Sequence, residues 1–501
     1  MPGVFDSRFW ETIILQVSSS EPAVFHAVVA LASTQRGQEL RECLRRDSNT
    51  DEITNQWDRF ALQQYNKAIA DLQIHFAARN HRSLQIALTT CIIFTCIELL
   101  RGSYTAANTH IDNGIKLLSN LQRQSRNRHH QMGFSPKITV TRQLNPQSLD
   151  DDLLEAFARI NIQSVLFGYP SRYLHVVAED PRSRQHFHIP EKFGSLEEAR
   201  QYLEVLLNSV LHLIEASRSD KYLSLDTISL LRERKALQAS LSAWLDSYEA
   251  SVPTLLPTLN PRTGMGLPLL RIYHIMTSIM LSTCPQPNTP WSEMVYDSHT
   301  HSFSSLVMKA RSLANLQDLP IPYEVNTGKC PLGSRNFIVD MGIIPPLYYT
   351  AIKCRVPSIR RQAIDVLTGA LHRETMWDGE VVAAIAKRVI ALEEGDFYQK
   401  DSSPPVQTKG VKAQGSSQFR GFESSSLPEA YRFEDVQVIM QDGTKNKGKI
   451  ICRRRRRYSG EVTNPSSSSS GLSGPGYSTA NGNDEWEVIE DSFHCDVSHV
   501  H

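Results

Sequence analysis

Apolar residues recur every three to four positions through the first 395 of the 501 residues, and this spacing restricts the fold more than any other feature. A spacing of 3.6 residues gives each helix one apolar stripe, which must be buried against a neighbour. In the last helix of this region the stripe consists of Val382, Ile385, Val389 and Leu392, and Asp378 stands at the N-cap position. No segment before residue 396 alternates convincingly as a strand. The pattern predicts an all-α fold for residues 1–395.

Short breaks between apolar helices predict packed helical hairpins. "SLQIALTTCIIFTCIELLRG" reads as a buried helix that ends at Gly102, and "SYTAANTHIDNGIKLL" follows at once as a second helix. The most apolar window, residues 86–100, is interrupted by Thr89 and Glu98 and is shorter than the ~20 residues of a membrane span. We therefore expect a core helix and no contact with a membrane.

Composition divides the remainder of the chain. Residues 121–149 contain five Lys or Arg and no acidic residue, which predicts a basic internal linker, and residues 396–430 are rich in Ser, Pro, Gly and Gln, which predicts a disordered linker. Residues 431–493 predict a small β-hairpin or three-strand appendage, and 494–501 form a tail. We expect Val436, Val438 and Met440 on one strand face, a turn at Asp442-Gly443, and "KIIC" as the second strand.

The acidic segment "NDEWEVIEDSFHCD" admits two interpretations. Its mixture of acids and apolar residues is typical of a transcriptional activation segment. It also fits a third strand that packs on the hairpin through Trp486 and Val488, and we favour the strand.

Charge and cysteine usage exclude several classes of protein. The 53 basic and 53 acidic residues cancel, so affinity for nucleic acid has to be local. None of the eight cysteines forms a CxxC pair or a cluster with zinc-ligand spacing, which indicates buried thiols in a reducing compartment. The N-terminus lacks the basic and apolar regions of a signal peptide.

The stretch "GTKNKGKIICRRRRR", residues 443–457, carries the strongest local charge. It begins like a phosphate-binding loop, but Ile450 stands where that motif needs Ser or Thr, and strands rather than a helix flank it. Five arginines in a row cannot continue a half-buried strand, so we expect an exposed strand end or a loop. The basic patch comprises Lys445, Lys447, Lys449, Arg453, Arg454, Arg455, Arg456 and Arg457. Nuclear import, contact with phosphates, and a solvated strand edge remain open, and import is favoured.

Motifs for catalysis are absent from the sequence: there is no Gly-x-Ser-x-Gly, His-Glu-x-x-His or Gly-x-Gly-x-x-Gly. Histidines cluster at "HFHIP", "DSHTHSF" and the C-terminal "HCDVSHVH", without the rigid ligand set that a metal needs. Aromatic and methionine residues are candidates for a ligand cavity or, as is more common, plain core: Trp244, Tyr273, Met276, Met280, Tyr348, Tyr349 and Trp377. We expect no catalytic residue, cofactor or metal, and keep a helical-pocket metabolic enzyme or small-molecule-binding protein as the alternative function.

The order of several segments resembles the regulatory domain of fungal zinc binuclear cluster transcription factors. The matching segments are "FDSRFWETIILQVSSSEPAVFHAVVALAS", "ALTTCIIFTCIELLRGSYTAANTHIDNGIKLL", "FARINIQSVLFG", "GIIPPLYYTAIKCRVPSIRRQAIDVL" and "HRETMWDGEVVAAIAKRVIALEE". Relatives often have Glu-Gly where this chain has Glu374-Thr375.

The resemblance implies a nuclear regulator of transcription whose large helical domain responds to a small-molecule effector or to other transcription regulators or co-regulators. It transfers no catalytic residue. The cysteines of this chain do not match the six-cysteine zinc cluster that binds DNA in this family. The chain also lacks the heptad-patterned dimerisation helix that often follows such a cluster. We therefore expect contact with DNA only indirectly or through a zinc cluster upstream of Met1.

Overall fold

Helices joined by short breaks form most of the structure. The structure is a computed structural model that describes residues 4–5, 8–43, 50–78, 80–125, 138–143, 148–169, 174–179, 188–218, 227–286, 291–317, 336–370, 372–400, 426–443, 447–455 and 486–495. After a π-helical turn, Phe9–Ile13, the helices are α1 (Ile14–Ser20), α2 (Pro22–Cys43), α3 (Thr50–Ala78), α4 (His81–Arg101), α5 (Tyr104–Ser125), α6 (Leu149–Phe167), α7 (Leu196–Arg218), α8 (Thr227–Leu255), α9 (Pro261–Gly264), α10 (Gly266–Ser282), α11 (Thr300–Gln317), α12 (Ile344–Lys353), α13 (Pro357–Gly369), α14 (Gly379–Glu394) and α15 (Phe397–Lys400). The strands are β1 (Ile138–Gln143), β2 (Leu174–Glu179), β3 (Asn336–Ile338), β4 (His372–Glu374), β5 (Trp377–Asp378), β6 (Asp435–Met440), β7 (Lys447–Arg455) and β8 (Trp486–His494).

The apolar window at 86–100 forms the core helix α4, as predicted. Among the described residues it is the one helix long and apolar enough to cross a membrane, and 89% of its most apolar 18-residue stretch is buried inside the protein. Gly102 ends the helix with φ at +75°, a left-handed conformation that glycine adopts without strain. Helix α5 then packs back against α4, so the predicted hairpin is confirmed.

Buried apolar side chains form two clusters. The first fills the space between α1 to α6, where Gly114 of α5 lies so close to α6 that an added Cβ would stand 2.2 Å from Phe157. The second extends from α7 to α14 and includes Phe433, Val438 and Phe493 of the C-terminal segment. Asp378 caps α14 as predicted, because its carboxylate accepts hydrogen bonds from the amides of Glu380 and Val381.

The expectation that no strand precedes residue 396 is wrong. Strand β1 lies inside the predicted basic linker 121–149 and pairs in parallel with β2, while β3, β4 and β5 form a second small sheet. Asn208 of α7 hydrogen-bonds both Val176 N, 2.8 Å, and Leu174 O, 2.9 Å, along β2. These strands have two to six residues, and the β1–β2 and β3–β4 pairs join segments far apart in the chain, so local alternation did not reveal them.

The C-terminal segment forms the predicted three-stranded antiparallel sheet, with β7 between β6 and β8. The turn lies at Asp442-Gly443, and Gly443 has φ at +76°. One detail of the prediction is wrong. Trp486 and Val488 are exposed, and Phe493 is the residue of β8 that is buried in the core.

This sheet is held to the helical body by hydrogen bonds at both ends of its first hairpin. The amide of Thr105 donates to Asp442 Oδ1, 3.0 Å, and Gly443 N donates to Gly102 O, 3.2 Å. At the other end Arg432, which is 1% exposed, donates to both carboxylate oxygens of Asp297 at 2.7 and 2.8 Å. Most of the predicted linker 396–430 lies outside the described residues; its ends, 397–400 and 426–430, are folded.

Candidate functional site

Part of the predicted basic patch lies on the central strand of the C-terminal sheet. Arg453, Arg454 and Arg455 form the end of β7, whereas Lys445, Arg456 and Arg457 lie outside the described residues. Of the two expected arrangements, a strand end and a loop, the structure shows the strand end for Arg453, Arg454 and Arg455. However, the side chain of Arg454 is only 19% exposed, so the argument that arginines cannot continue a half-buried strand is wrong there.

Acidic residues of the flanking strands neutralise the described part of the patch. Arg454 donates to both oxygens of Glu487, at 2.8 and 3.1 Å, and Arg453 lies 3.3 Å from Asp435. Arg455 pairs with Glu434 at 3.3 Å. Lys449 pairs with Glu490. The side chains of Arg453 and Arg455 remain 44% and 40% exposed, so part of this positive charge faces solvent.

The seven predicted aromatic and methionine residues do not line one cavity. Trp244, Met276 and Trp377 are fully buried core residues. Met280, Tyr348 and Tyr349 do line a cavity of about 170 Å³, between α10, α12 and the start of β6. Tyr273 lies elsewhere and donates a hydrogen bond to Gly342 O, 2.9 Å. The core interpretation is therefore confirmed for the first three residues.

A second cavity, of about 220 Å³, lies between the π-helical turn, α4, α6, α7 and the segment that follows β3; we call it the charged cavity. Its apolar wall consists of Phe9, Trp10, Ile92, Ala156, Ile160 and Val339. Its polar wall consists of Arg8, Asp152, Glu155, Arg159, Glu197, Arg200, Gln201 and Asp340. The sequence interpretation missed this site entirely.

Two buried arginines hold the polar wall together. Arg159 Nε donates to Glu204 Oε1, 2.8 Å, and its Nη2 also donates to Glu155 and, at 3.2 Å, to Glu197. Arg200 Nη2 donates to Glu197 at 2.5 Å and lies 3.5 Å from Glu155. The guanidinium of Arg200 also lies 3.6 Å from Asp340 Oδ1. These contacts join α6, α7 and the segment after β3 into one ion-pair network.

Burial affects the carboxylates at the edge of this network. It raises the pKa of Asp340, although Arg200 and Arg159 oppose the change. It also raises the pKa of Asp152 to about 6, against the opposing charge of Arg8, which lies 3.5 Å away. Asp152 Oδ2 is buried and accepts no hydrogen bond. The cavity therefore contains carboxylates that are less well compensated than those at the centre of the network.

A weak sequence signal for this site exists in α6. Glu155 and Arg159 stand four residues apart in a helix whose other positions are mainly apolar on all sides. Arg200 and Glu204 have the same spacing in α7. Such pairs usually occupy a solvated helix face. Here they are buried because α6, α7 and the segment after β3 pack against one another, which the local sequence does not show.

Cysteine and histidine side chains offer no metal site within the described ranges. Cys91, Cys96, Cys284, Cys354, Cys452 and Cys495 are free and buried, which confirms the prediction of buried thiols for these six. Burial raises the pKa of Cys91 and of Cys96 to about 12, so neither is a ready nucleophile. Of the histidine clusters, His186, His499 and His501 lie outside the described residues.

Comparison with known proteins identifies the family. The sequence model described as "Fungal specific transcription factor domain" matches residues 4–320, which is more than half of the chain. The chain belongs to this family, and the resemblance seen in the sequence is confirmed. No solved structure matches the chain.

Two curated relatives carry regulator names. The chain is 22% identical over 408 residues to the Aspercryptin biosynthesis cluster-specific transcription regulator atnN of Emericella nidulans, a match that covers 67% of this chain. It is 24% identical over 290 residues to the Transcription regulator lscL of Purpureocillium lilacinum, a match that covers 54% of this chain. Each match spans 62% of the relative's own length.

Proposed function

We propose that this protein regulates transcription in the nucleus and that a small molecule held in the charged cavity sets its output. Family membership and the regulator names of the relatives support the first part. The observation that carries the second is the cavity itself, which has about 220 Å³ of space, room for a small ligand, and combines an apolar wall with an ionic one. The proposal includes no enzymatic step and no resident cofactor.

The position of the charged cavity suits a regulatory role. Phe9, Ile92 and Val339 of its wall belong to the first core cluster, whereas α7, which carries Arg200, packs in the second. A ligand in the cavity contacts the first cluster and polar residues of α7, the helix whose apolar side chains pack in the second, so its binding energy depends on how α7 lies against the first cluster. Differential affinity for two packing arrangements is what a ligand needs to shift a conformational equilibrium.

A cavity-filling variant tests the effector role. Ala156 lines the cavity, and Ala156→Phe would occupy part of its volume. The full chain, fused to a heterologous DNA-binding domain, is measured on a reporter gene in a fungal host. We expect output to change roughly fivefold or more, the lower range of allosteric couplings.

The control for this experiment is Ala391→Phe, which adds the same ring on the exposed side of α14. Both variants are compared at equal abundance of folded protein. Equal output from wild type and both variants contradicts the effector role, and no output above that of the DNA-binding domain alone contradicts regulation of transcription.

We also propose that the basic patch supports nuclear residence. Replacing Arg453–Arg457 by alanine in a fluorescent fusion is expected to move the protein to the cytoplasm. The control replaces Arg232 and Lys235, two exposed basic residues of α8, by alanine. A nuclear signal that is unchanged in the Arg453–Arg457 variant removes the import role.

Partners follow from the same proposal. The protein acts together with other transcription regulators or co-regulators. Co-purification from nuclear extract with and without nuclease treatment distinguishes protein contacts from contacts mediated by DNA.

A further inference from the structure

We propose that the cavity lined by Met280, Tyr348 and Tyr349 is a second ligand site, and that it binds a neutral molecule with one aromatic ring and an oxygen acceptor such as a carbonyl group. We call it the aromatic cavity. This inference goes beyond the proposed function, which concerns the charged cavity, and the two cavities share no described wall residue.

The rings in the wall of the aromatic cavity set the size and shape of its ligand. Five of the described side chains are aromatic and come from different parts of the fold: Phe167 at the end of α6, Trp291 and Tyr296 before α11, and Tyr348 and Tyr349 of α12. Trp291 and Tyr296 lie edge to face, with ring centroids 6.5 Å apart. The space of about 170 Å³ slightly exceeds the ~150 Å³ of an apolar cavity that holds benzene. There is therefore room for one aromatic ring with a small substituent, and aromatic rings attract a further ring.

The charges in this wall favour a neutral ligand. The charged residues among the described wall residues are two of each sign: Arg218, Lys353, Glu434 and Asp435. Lys353 Nζ lies 2.9 Å from Glu293, and Asp435 lies 3.3 Å from Arg453. Glu434 lies 3.3 Å from Arg455, and the charge of Arg218 also acts on it. Because these charges already have partners of opposite sign, an ionised ligand would lose its hydration without gaining a new ion pair.

A buried hydroxyl offers the hydrogen bond that the ligand accepts. Tyr349 Oη is buried and has no hydrogen-bond partner among the described residues. The hydroxyls of Tyr296 and Thr283 act on Tyr349, but they do not meet its Oη in hydrogen-bonding geometry. Burial raises the pKa of Tyr349, so the hydroxyl keeps its proton and can donate it. An acceptor oxygen on the ligand would therefore satisfy a buried donor.

The position of the aromatic cavity links its ligand to the C-terminal sheet. Val436 of β6 forms part of the wall, together with residues of α7, α10 and α12 from the helical body. Gly168, at the end of α6, lies so close to β6 that an added Cβ would stand 3.0 Å from Val436 O. A bound ligand therefore contacts the sheet and the helical body at the same time. We expect it to slow hydrogen exchange at the amides of β6.

The test measures binding of matched neutral and charged probes to the full chain at neutral pH. Benzamide is the neutral probe, and benzoate and benzamidine are its anionic and cationic counterparts of similar shape. Acetophenone and 2-phenylpropene form a second pair, in which a carbonyl oxygen is replaced by a CH₂ group. We expect saturable heat in isothermal titration calorimetry, and a rise of the Tm, with benzamide and acetophenone. The two charged probes should bind at least tenfold more weakly than benzamide, because burial of an ion without a partner is costly.

Variants locate the binding. Tyr349→Phe should lower the affinity for acetophenone about threefold to tenfold, the range expected for one hydrogen bond, and leave the affinity for 2-phenylpropene unchanged. Ile214→Trp fills part of the aromatic cavity and should abolish binding of both probes. Tyr431→Phe is the matched control, because Tyr431 is an exposed tyrosine outside this wall. Ala156→Phe fills the charged cavity instead, so it should leave the affinity for acetophenone unchanged.

Three results would overturn the proposal. The ligand class is wrong if neither benzamide nor acetophenone binds, or if a charged probe binds as tightly as benzamide. The site is wrong if Tyr349→Phe and Ile214→Trp both leave the affinity for acetophenone unchanged, or if Ala156→Phe lowers it. The oxygen acceptor is wrong if 2-phenylpropene binds as tightly as acetophenone. The role of the charged cavity is decided separately, by the effect of Ala156→Phe on reporter output.

Discussion

Replacing Glu393 by glutamine tests whether buried ion pairs hold the C-terminal sheet on the helical body. Glu393 of α14 is 1% exposed. Its Oε1 accepts from Arg355 Nη2 at 2.8 Å and from the amide of Phe433 at 2.9 Å, and its Oε2 accepts from Arg360. One carboxylate thus joins α14 to the α12–α13 connection, to α13 and to Phe433, two residues before β6.

The pKa of Glu393 gives the expected magnitude. Burial alone would raise it, but the charges of Arg355 and Arg360 outweigh burial and lower it from 4.5 to about 2. At about 1.4 kcal/mol per pKa unit this corresponds to roughly 3 kcal/mol of stability. Glutamine also leaves the two buried arginines without their shared anion, and breaking a buried pair in this way costs about 3–5 kcal/mol. We expect the Glu393→Gln variant to lose an amount in this range.

The pH dependence has a definite sign. Because the pKa is lowered in the folded state, the stabilisation is complete above pH 4.5 and is lost as the pH falls towards 2. The difference in free energy of unfolding between wild type and variant should therefore be constant above pH 4.5 and shrink below it. Urea unfolding followed by circular dichroism measures this difference, and hydrogen exchange at the amides of β6 reports whether the sheet opens first.

The matched control is Glu394→Gln. Glu394 makes one 3.1 Å contact with Arg360, and its side chain is 17% exposed, so we expect a loss of about 1 kcal/mol or less. If Glu393→Gln costs no more than this control, or if the difference persists unchanged at low pH, then the network does not attach the sheet as argued.

Two further predictions concern the backbone. Gly114→Ala should destabilise the protein by about 1–3 kcal/mol, because the added methyl group overlaps Phe157. The control Gly264→Ala should be nearly neutral, because no atom lies within 4 Å of the added methyl group. Thermal unfolding measures both variants, and equal Tm values would contradict the close packing of α5 on α6. Thr375 has φ at +54°, and its hydroxyl donates to Val339 O at 2.9 Å. Thr375→Gly should remain within about 1 kcal/mol of wild type, because the relief of backbone strain offsets the lost hydrogen bond. Thr375→Val loses the same hydrogen bond but keeps the strain, so it should be the less stable variant. The reverse order of stability in urea unfolding would refute this.

Local sequence predicted the parts of this fold that depend on residues close together in the chain. The apolar period predicted the helices, Gly102 and Asp378 marked where two of them end and begin, and the change to a period of two after residue 430 predicted the C-terminal strands. These features arise from steric and hydrogen-bonding preferences within a few residues, so they can be identified without knowledge of the tertiary structure.

Only the tertiary structure decided which charged residues are buried. Glu155 and Arg159 have the spacing of an ordinary surface pair, and nothing local distinguishes them from one until α7 and the segment after β3 cover them. The same reason explains the strands β1 to β4, which form the long-range pairs β1–β2 and β3–β4. It also explains the arginines of β7, which fold into a strand because acids of β6 and β8 lie opposite them. Periodicity determined the helical class of this protein, while long-range packing created its charged cavity, because burial and charge compensation depend on residues that meet only after folding.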